Sequence, residues 1–392
     1  MRNRDALRYP LIVSIRMVHV VTDLRMGGAE SALANLIAKS DKARFQHHVI
    51  GLKSDGVIGD RLRETGARVD VVGIRSVAKS IQALWKIRRL IRESNADLVQ
   101  GWMYHGNVAA SLALRSMRHR AGLIWNVRHS LTDFSREKPM TRHVIKMGAR
   151  MSEHAELILW NSKRSRIQHE ALGYHGRRHM VIPNGIDTSK MTFRVSARES
   201  MRKRLGLNDD ALLVGSVARH HPMKGHTDLI DAVSHLASKG RDVHLALCGR
   251  GCEEDGSMAT LAKQSSLQGR LHLLGEMADP QPVYAAMDCF VVSSRWGESF
   301  PNALVEAMAC EVPAIATDLG ASAEILGDSG DVVPADTPHV LAPAIDRTLM
   351  LPPLQRKERV KKGRQRVINR FDVHSSVNRY ERIWSSIAAR FL

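Results

Sequence analysis

Short β-rich runs alternate with amphipathic helical stretches along nearly the whole chain, and the alternation runs through twice. The first series has strand-like segments at 17–21, 47–52, 68–72, 97–101, 123–127, 157–160 and 180–182. Helical stretches fall at 29–39, 57–65 and 81–92. Pro183-Asn184-Gly185 then breaks the pattern with a turn signal, and a charged, loosely patterned stretch runs to about 208. The second series has strand-like segments at 212–217, 244–247, 272–274, 289–292 and 313–316. Strands separated by helices form right-handed βαβ units and parallel sheets covered on both faces. A chain of 392 residues exceeds what one hydrophobic core usually serves. The pattern therefore predicts two α/β domains meeting near residue 185. Ligands of such sheets bind beyond the carboxyl ends of the strands, so a cleft between the domains is the expected site.

Charge is distributed unevenly over these halves. Through Gly185 there are 32 lysines and arginines against 15 aspartates and glutamates, an excess of 17 out of the chain's +18. A one-sided field of this kind points to an anionic partner or to a basic solvated face. A nucleic-acid binder would need stacking motifs, yet aromatics make up only 5% and no reading module is recognisable. The segment 79–92 interleaves Lys79, Lys86, Arg88, Arg89 and Arg92 with apolar residues. On a helix, Ile81, Leu84, Ile87 and Ile91 are expected to share the apolar face, with Trp85 beside the basic flank. No apolar run reaches the ~18 residues of a membrane span, the segment 11–15 ending at Arg16, and no signal peptide is expected. Cys248, Cys252, Cys289 and Cys310 contain no CxxC pair, so neither a zinc site nor a disulfide framework is expected. A reducing cytoplasm is the simplest setting. His220, His221 and His226 lie in one loop without carboxylates, a poor metal set.

The chemistry-bearing residues gather where strands end. Gly297-Glu298-Ser299-Phe300-Pro301-Asn302 leads from a strand into a helix that carries Glu306. Pro301 suits a first helical turn, and the free N–H groups of Asn302 and Ala303 are placed for a phosphate. Glu306 is placed to accept from a ribose diol and Glu298 from sugar hydroxyls; taken alone, either is more readily a surface carboxylate. Arg219 and Lys224 follow another strand end and offer the two cations a diphosphate needs, or a solvated surface. Gly27-Gly28-Ala29-Glu30 opens a helix and lets a ligand approach the backbone, without the full GxGxxG fingerprint. Tyr104-His105-Gly106 and Arg128-His129-Ser130 follow two further strands. His105 is expected in the cleft, with a purely structural histidine as the plainer reading.

These elements, in this order, resemble glycosyltransferase family 4, whose members have the GT-B fold. The matching pieces are GGAE at 27–30, YHG at 104–106, PNGID at 183–187, GSVAR…KG at 215–225, CGRG at 248–251 and GESFPNALVEAMACEVPAIATD at 297–318. The resemblance runs from about Met17 to the C-terminus. It implies an extension over 1–15, an acceptor domain over 16–185 and a nucleotide-sugar domain over 186–370, both Rossmann-like. A helix over 371–392 would cross back to the first domain. It also implies a metal-independent, retaining hexosyl or N-acetylhexosaminyl transfer from a UDP- or GDP-linked sugar, with no cofactor. Arg219 and Lys224 would neutralise the diphosphate, Glu306 would hold the ribose, and His105 would lie near the reacting sugar. Glu298, Ser299, Phe300, Pro301 and Asn302, with Gly249, would contact the donor, and Gly27 and Gly28 would lie under its diphosphate. Tyr104, Arg128 and His129 are acceptor-side candidates. The acceptor is expected to be a lipid-linked or glycan molecule of polysaccharide or lipopolysaccharide assembly. It would be met by a cytoplasmic enzyme resting on an anionic membrane surface, with no nucleic-acid partner. A sugar-nucleotide epimerase on the same fold, or a basic nucleic-acid binder, are the alternatives.

Overall fold

The computed structural model describes residues 14–74, 80–115, 117, 120–208, 210–256 and 258–391. Residues 1–13 of the extension expected over 1–15, and Lys79, thus lie outside the described residues. Two separate parallel sheets account for the twofold alternation. The first contains β1 (Ile15–Val21), β2 (Phe45–Gly51), β3 (Arg68–Val71), β4 (Leu98–Trp102), β5 (Gly122–Val127), β6 (Leu157–Trp160) and β7 (His179–Val181), in the spatial order 3-2-1-4-5-6-7. The second contains β8 (Leu212–Val217), β9 (Val243–Cys248), β10 (Leu271–Gly275), β11 (Cys289–Val292), β12 (Ala314–Thr317) and β13 (Gly330–Val333), in the order 10-9-8-11-12-13. Strand order reverses between β1 and β4 and again between β8 and β11. These are the points where the carboxyl edge of an open sheet parts into a crevice.

The central strands are apolar on both faces because helices cover both sides. One layer beneath the first sheet joins Met17, Leu33, Phe45 and Trp102 to Tyr380, Trp384 and Ile387, all buried. The last three belong to the helix Val373–Ala388, which returns from the second domain to complete the core of the first. The preceding helix, Pro353–Phe371, buries Val367 and Phe371 in the second domain instead. The chain therefore passes between the domains twice, and the two passages touch. Ile186 N–H donates to Phe371 O at 2.9 Å, and Val373 N–H donates to Ile186 O at 2.8 Å.

Three segments differ from the sequence-based expectation. The charged stretch after Gly185 contains the helix Val195–Arg204, whose Arg198 and Arg202 turn inward to pair with buried Asp288. Strand β13 went unrecognised because Gly330 and Asp331 interrupt its apolar pattern. In the helix Ser80–Glu93 the buried face is Ala83, Ile87, Leu90 and Ile91, while Ile81 is 71% and Trp85 64% exposed. The apolar stripe is thus rotated away from Ile81.

A chain of buried rings links β1, β2 and β4. Trp102 Nε1–H can only donate, and it reaches His19 Nδ1 at 3.2 Å. His19 therefore carries its proton on Nε2 and donates it to His47 Nδ1 at 3.0 Å. His47 Nε2–H in turn reaches Ser40 Oγ at 2.8 Å, and that hydroxyl donates to Ile37 O at 3.0 Å. One neutral tautomer serves each ring; an added proton has no acceptor. Burial pushes His47 down to about 3 and His19 well below the ordinary histidine range. Burial also lowers His169, which contacts Tyr104 Oη at 2.8 Å, to about 4. The unfolded chain binds these protons near pH 6.5, well before the folded one does. Their contribution to stability is thus complete above that pH and is lost as pH falls. Urea unfolding titrations are expected to show stability declining below pH 6.5, by up to about 1.4 kcal/mol per pH unit for each such group. A level profile from pH 7 to pH 5 would contradict the assignment.

Candidate active site

The carboxyl ends of both sheets line one cleft of about 640 Å³, within the range of small-molecule sites. From the first domain come Gly27, Gly28 and Glu30 after β1, Arg128 and His129 after β5, Asn161 after β6 and Asn184 after β7. From the second come Arg219 and Lys224 after β8, Gly249 after β9, and Ser293, Ser294, the run from Gly297 through Ala303, and Glu306 after β11.

Two helices begin at this cleft with no side-chain cap. Gly27 precedes the helix Gly28–Lys39, and Pro301 precedes the helix Asn302–Ala309. Their first N–H groups lack intrahelical partners, and each terminus carries the positive end of a helix dipole. A Cβ placed on Gly28 would lie 4.0 Å from Asn302 Nδ2, so the two termini face each other. Gly249, with φ of +138°, lets the loops after β8 and β9 touch. An added Cβ there would come within 2.4 Å of Ala218 O, next to Arg219. Gly297, with φ of +70°, does the same across the domains: its Cβ would meet His129 Cε1 at 3.2 Å.

Lys224 and Glu298 form an ion pair at 2.6 Å, and Ser294 Oγ donates to the same carboxylate oxygen at 3.0 Å. Burial works to raise Glu298, but the Lys224 charge, together with the hydrogen bonds from Lys224 and Ser294, holds the carboxyl below its ordinary range. Glu306 behaves oppositely. Burial raises it, and the Tyr284 hydroxyl, donating at 2.7 Å, only partly offsets this. Arg219 stands exposed on the cleft wall. Burial also raises Glu30, against the attraction of Arg128 and Arg219. His129 Nε2 contacts Glu137 Oε1 at 2.7 Å, and that hydrogen bond keeps Glu137 below the usual carboxylate range.

The structure thus brings Gly27, Gly28, Arg219, Lys224, Gly249, Glu298, Ser299, Phe300, Pro301, Asn302, Glu306, Arg128 and His129 to one cleft. It does not bring Tyr104 and His105 there. The chain turns sharply at Met103, with φ of +61°, and starts the helix Met103–Arg115 against β1. Tyr104 is buried against His169, and His105 is half-buried, lowered by burial and by Lys53. The histidine at the cleft is His129. Two of the expected donor contacts have side chains already engaged within the protein. Ser299 Oγ is engaged with Asn161 at 2.5 Å and Ser162 at 3.1 Å, and the Phe300 ring packs on Phe371. Sequence reasoning passed over Asn161, although it follows a strand end as the recognised residues do. Asn184 stands in the sequence as part of a turn and of the PNGID piece at 183–187, with no side-chain role of its own.

Two family models cover most of the chain. Glycosyltransferase Family 4 matches residues 26–190, and Glycosyl transferases group 1 matches residues 197–366. The chain belongs to glycosyltransferase family 4. Among relatives of this family 4 enzyme, the putative glycosyltransferase EpsF of Bacillus subtilis is 26% identical over 322 residues, 77% of this chain and 79% of EpsF. The phosphatidyl-myo-inositol mannosyltransferase of Mycobacterium leprae is 27% identical over 310 residues, 77% of each chain. The structure of Anabaena Alr3699/HepE in complex with UDP-glucose superposes with a TM-score of 0.82 at 22% identity, over 95% of this chain and 100% of that one. The two sheets and their shared cleft are therefore a GT-B fold, and the protein is a glycosyltransferase.

The Lys224–Glu298 pair makes a measurable demand on this enzyme. Lys224→Ala leaves Glu298 buried without its counter-charge, which typically costs about 3–5 kcal/mol. We expect urea unfolding at pH 7 to show a loss of that order. Lys224→Ala/Glu298→Gln should recover most of it. Equal stability of the single and double variants would dismiss the pair as a structural element.

Proposed function

We propose that the enzyme transfers a sugar from a nucleoside-diphosphate sugar, UDP- or GDP-linked, to a lipid-linked or glycan acceptor, with retention at the anomeric carbon. One observation carries this reading: two uncapped helix N-termini, Arg219 and Lys224 converge on one cleft, an arrangement suited to a diphosphate. The same groups stabilise charge as the diphosphate departs. Glu306, fixed by Tyr284, is placed for the ribose. Glu298, ionised and tied to Lys224, is suited to accept from sugar hydroxyls and poorly suited to attack carbon. That favours transfer on one face, in which a donor phosphate oxygen takes the acceptor proton. His129 takes the place beside the reacting sugar that was expected of His105. Among the described residues no group of three or more His, Cys, Asp or Glu has metal-binding geometry. The cationic side chains and helix termini are proposed to supply the positive charge.

The acceptor side is proposed to rest on an anionic membrane surface in the cytoplasm. Ile81 and Trp85 stand exposed beside Arg89 and Arg92, and the Arg88 guanidinium lies 5.1 Å from the Trp85 ring centre. Each basic group near anionic lipid contributes on the order of 1 kcal/mol, and an exposed indole suits the interface. The name of the Mycobacterium leprae relative includes a lipid acceptor. Among the described residues no helix is long and apolar enough to cross a membrane.

Isothermal titration with UDP- and GDP-sugars, followed by NMR of the product anomer, tests the donor and the stereochemistry. Saturable binding of one donor, transfer with retention and unchanged activity in excess chelator are expected. Arg219→Ala should lower kcat by about 100-fold. Release of an isomerised sugar nucleotide without acceptor would assign an epimerase, and salt-sensitive DNA retention without turnover a nucleic-acid binder. Co-sedimentation should occur with anionic liposomes and fall with salt and with Trp85→Ser/Arg89→Gln/Arg92→Gln. Equal sedimentation with neutral liposomes would refute electrostatic docking.

A further inference from the structure

Arg128 came from the sequence as an acceptor-side candidate, yet its hydrogen bonds lead across the cleft to the opposite domain. A guanidinium only donates. Arg128 Nη2 donates to Asn184 Oδ1, so the amide oxygen of Asn184 is fixed on that side. Asn184 Nδ2 therefore faces the other way, and it donates to Asn302 Oδ1 at 2.6 Å. The Asn302 oxygen is in turn committed, which turns its NH2 group toward Gly28 and the cleft. Direction is imposed step by step, starting from the one group that cannot accept. Arg128 is itself held by Tyr380 Oη at 3.0 Å and by the Trp102 ring, 5.2 Å from its guanidinium carbon.

We infer that Arg128 and Asn184 are positioning residues for the donor diphosphate. Through the orientation of one amide, they make Asn302 present donors to an anion at a helix N-terminus. The inference rests on the nucleoside-diphosphate reading above and adds a residue-level cause to it. Without the relay, the Asn302 amide is free to rotate and offer its oxygen to the phosphate. Asn184→Asp makes rotation obligatory. A carboxylate still accepts from Arg128 but has no proton to give Asn302, so it draws the Asn302 NH2 toward itself and the oxygen swings into the cleft.

Isothermal titration with UDP, GDP, UMP and uridine is the test, with circular dichroism to confirm folding. Asn184→Asp is expected to weaken the diphosphate that binds wild type by at least tenfold. Asn184→Ala should weaken it less, and binding of uridine should be unchanged in both. Asn302→Ala should cost a few fold alone. In the Asn184→Asp background it should cost nothing or restore affinity, because the misdirected oxygen is gone. A loss confined to nucleotides and removed by Asn302→Ala is not what general loosening of the fold produces. If wild type binds UDP or GDP but Asn184→Asp stays within twofold, or its effect simply adds to that of Asn302→Ala, this inference fails and the donor reading stands. If wild type binds neither diphosphate, both are overturned.

Discussion

Backbone N–H groups at the start of a helix have no backbone partner within it, and ahead of Gly28 and Asn302 the capping positions, Gly27 and Pro301, supply no side-chain acceptor. Parallel sheets put such termini on one edge by construction, since each helix begins where a strand has ended. Placing two carboxyl edges face to face concentrates the positive ends of two helices in one cleft, before any charged side chain is added. Arg219 and Lys224 reinforce a field the backbone has already set. The substrate class thus follows from topology first and side chains second.

The electrostatic problem this creates is handled locally. A cleft rich in N–H groups and cations gathers positive charge, and Glu298 offsets part of that field through its pair with Lys224. A neighbouring carboxylate, Glu306, has no such cation and relies on a tyrosine hydroxyl. Two acids eight residues apart on one loop and helix are driven in opposite directions by a single lysine's reach. The pH at which each loses its charge differs accordingly, although both sit at the same cleft.

The sequence revealed the architecture because burial on both sheet faces writes apolar runs that turn residues then separate. It also revealed the charged and glycine-bearing positions, since Gly28, Arg219 and Lys224 follow strand ends where α/β folds place ligands, and Glu306 lies on the helix entered from such an end. His105 follows a strand end as His129 does, but after the left-handed Met103 it enters the helix Met103–Arg115 and is not among the residues that line the cleft; no local pattern announces that turn. Phe300 and Ser299 lie in the right loop with their side chains turned into the core and the domain interface. Trp85 and Ile81 show the same limit on a helix, where a periodic pattern permits more than one apolar face. Asn184 was legible as a turn and illegible as a relay, because its two partners are 56 and 118 residues away.

The paired backbone at Ile186 and Val373 gives the molecule a mechanical character. A single linker lets two bodies swing, twist and part in any direction. Two linkers tied side by side at one point hold that point fixed and leave rotation about it as the easy motion. The opening between the domains then grows with distance from the tie. Residues near it, Asn184 among them, move least, and those farthest from it move most. A molecule entering from the rim meets the widest aperture, while Asn302, bonded to Asn184, stays close to the axle.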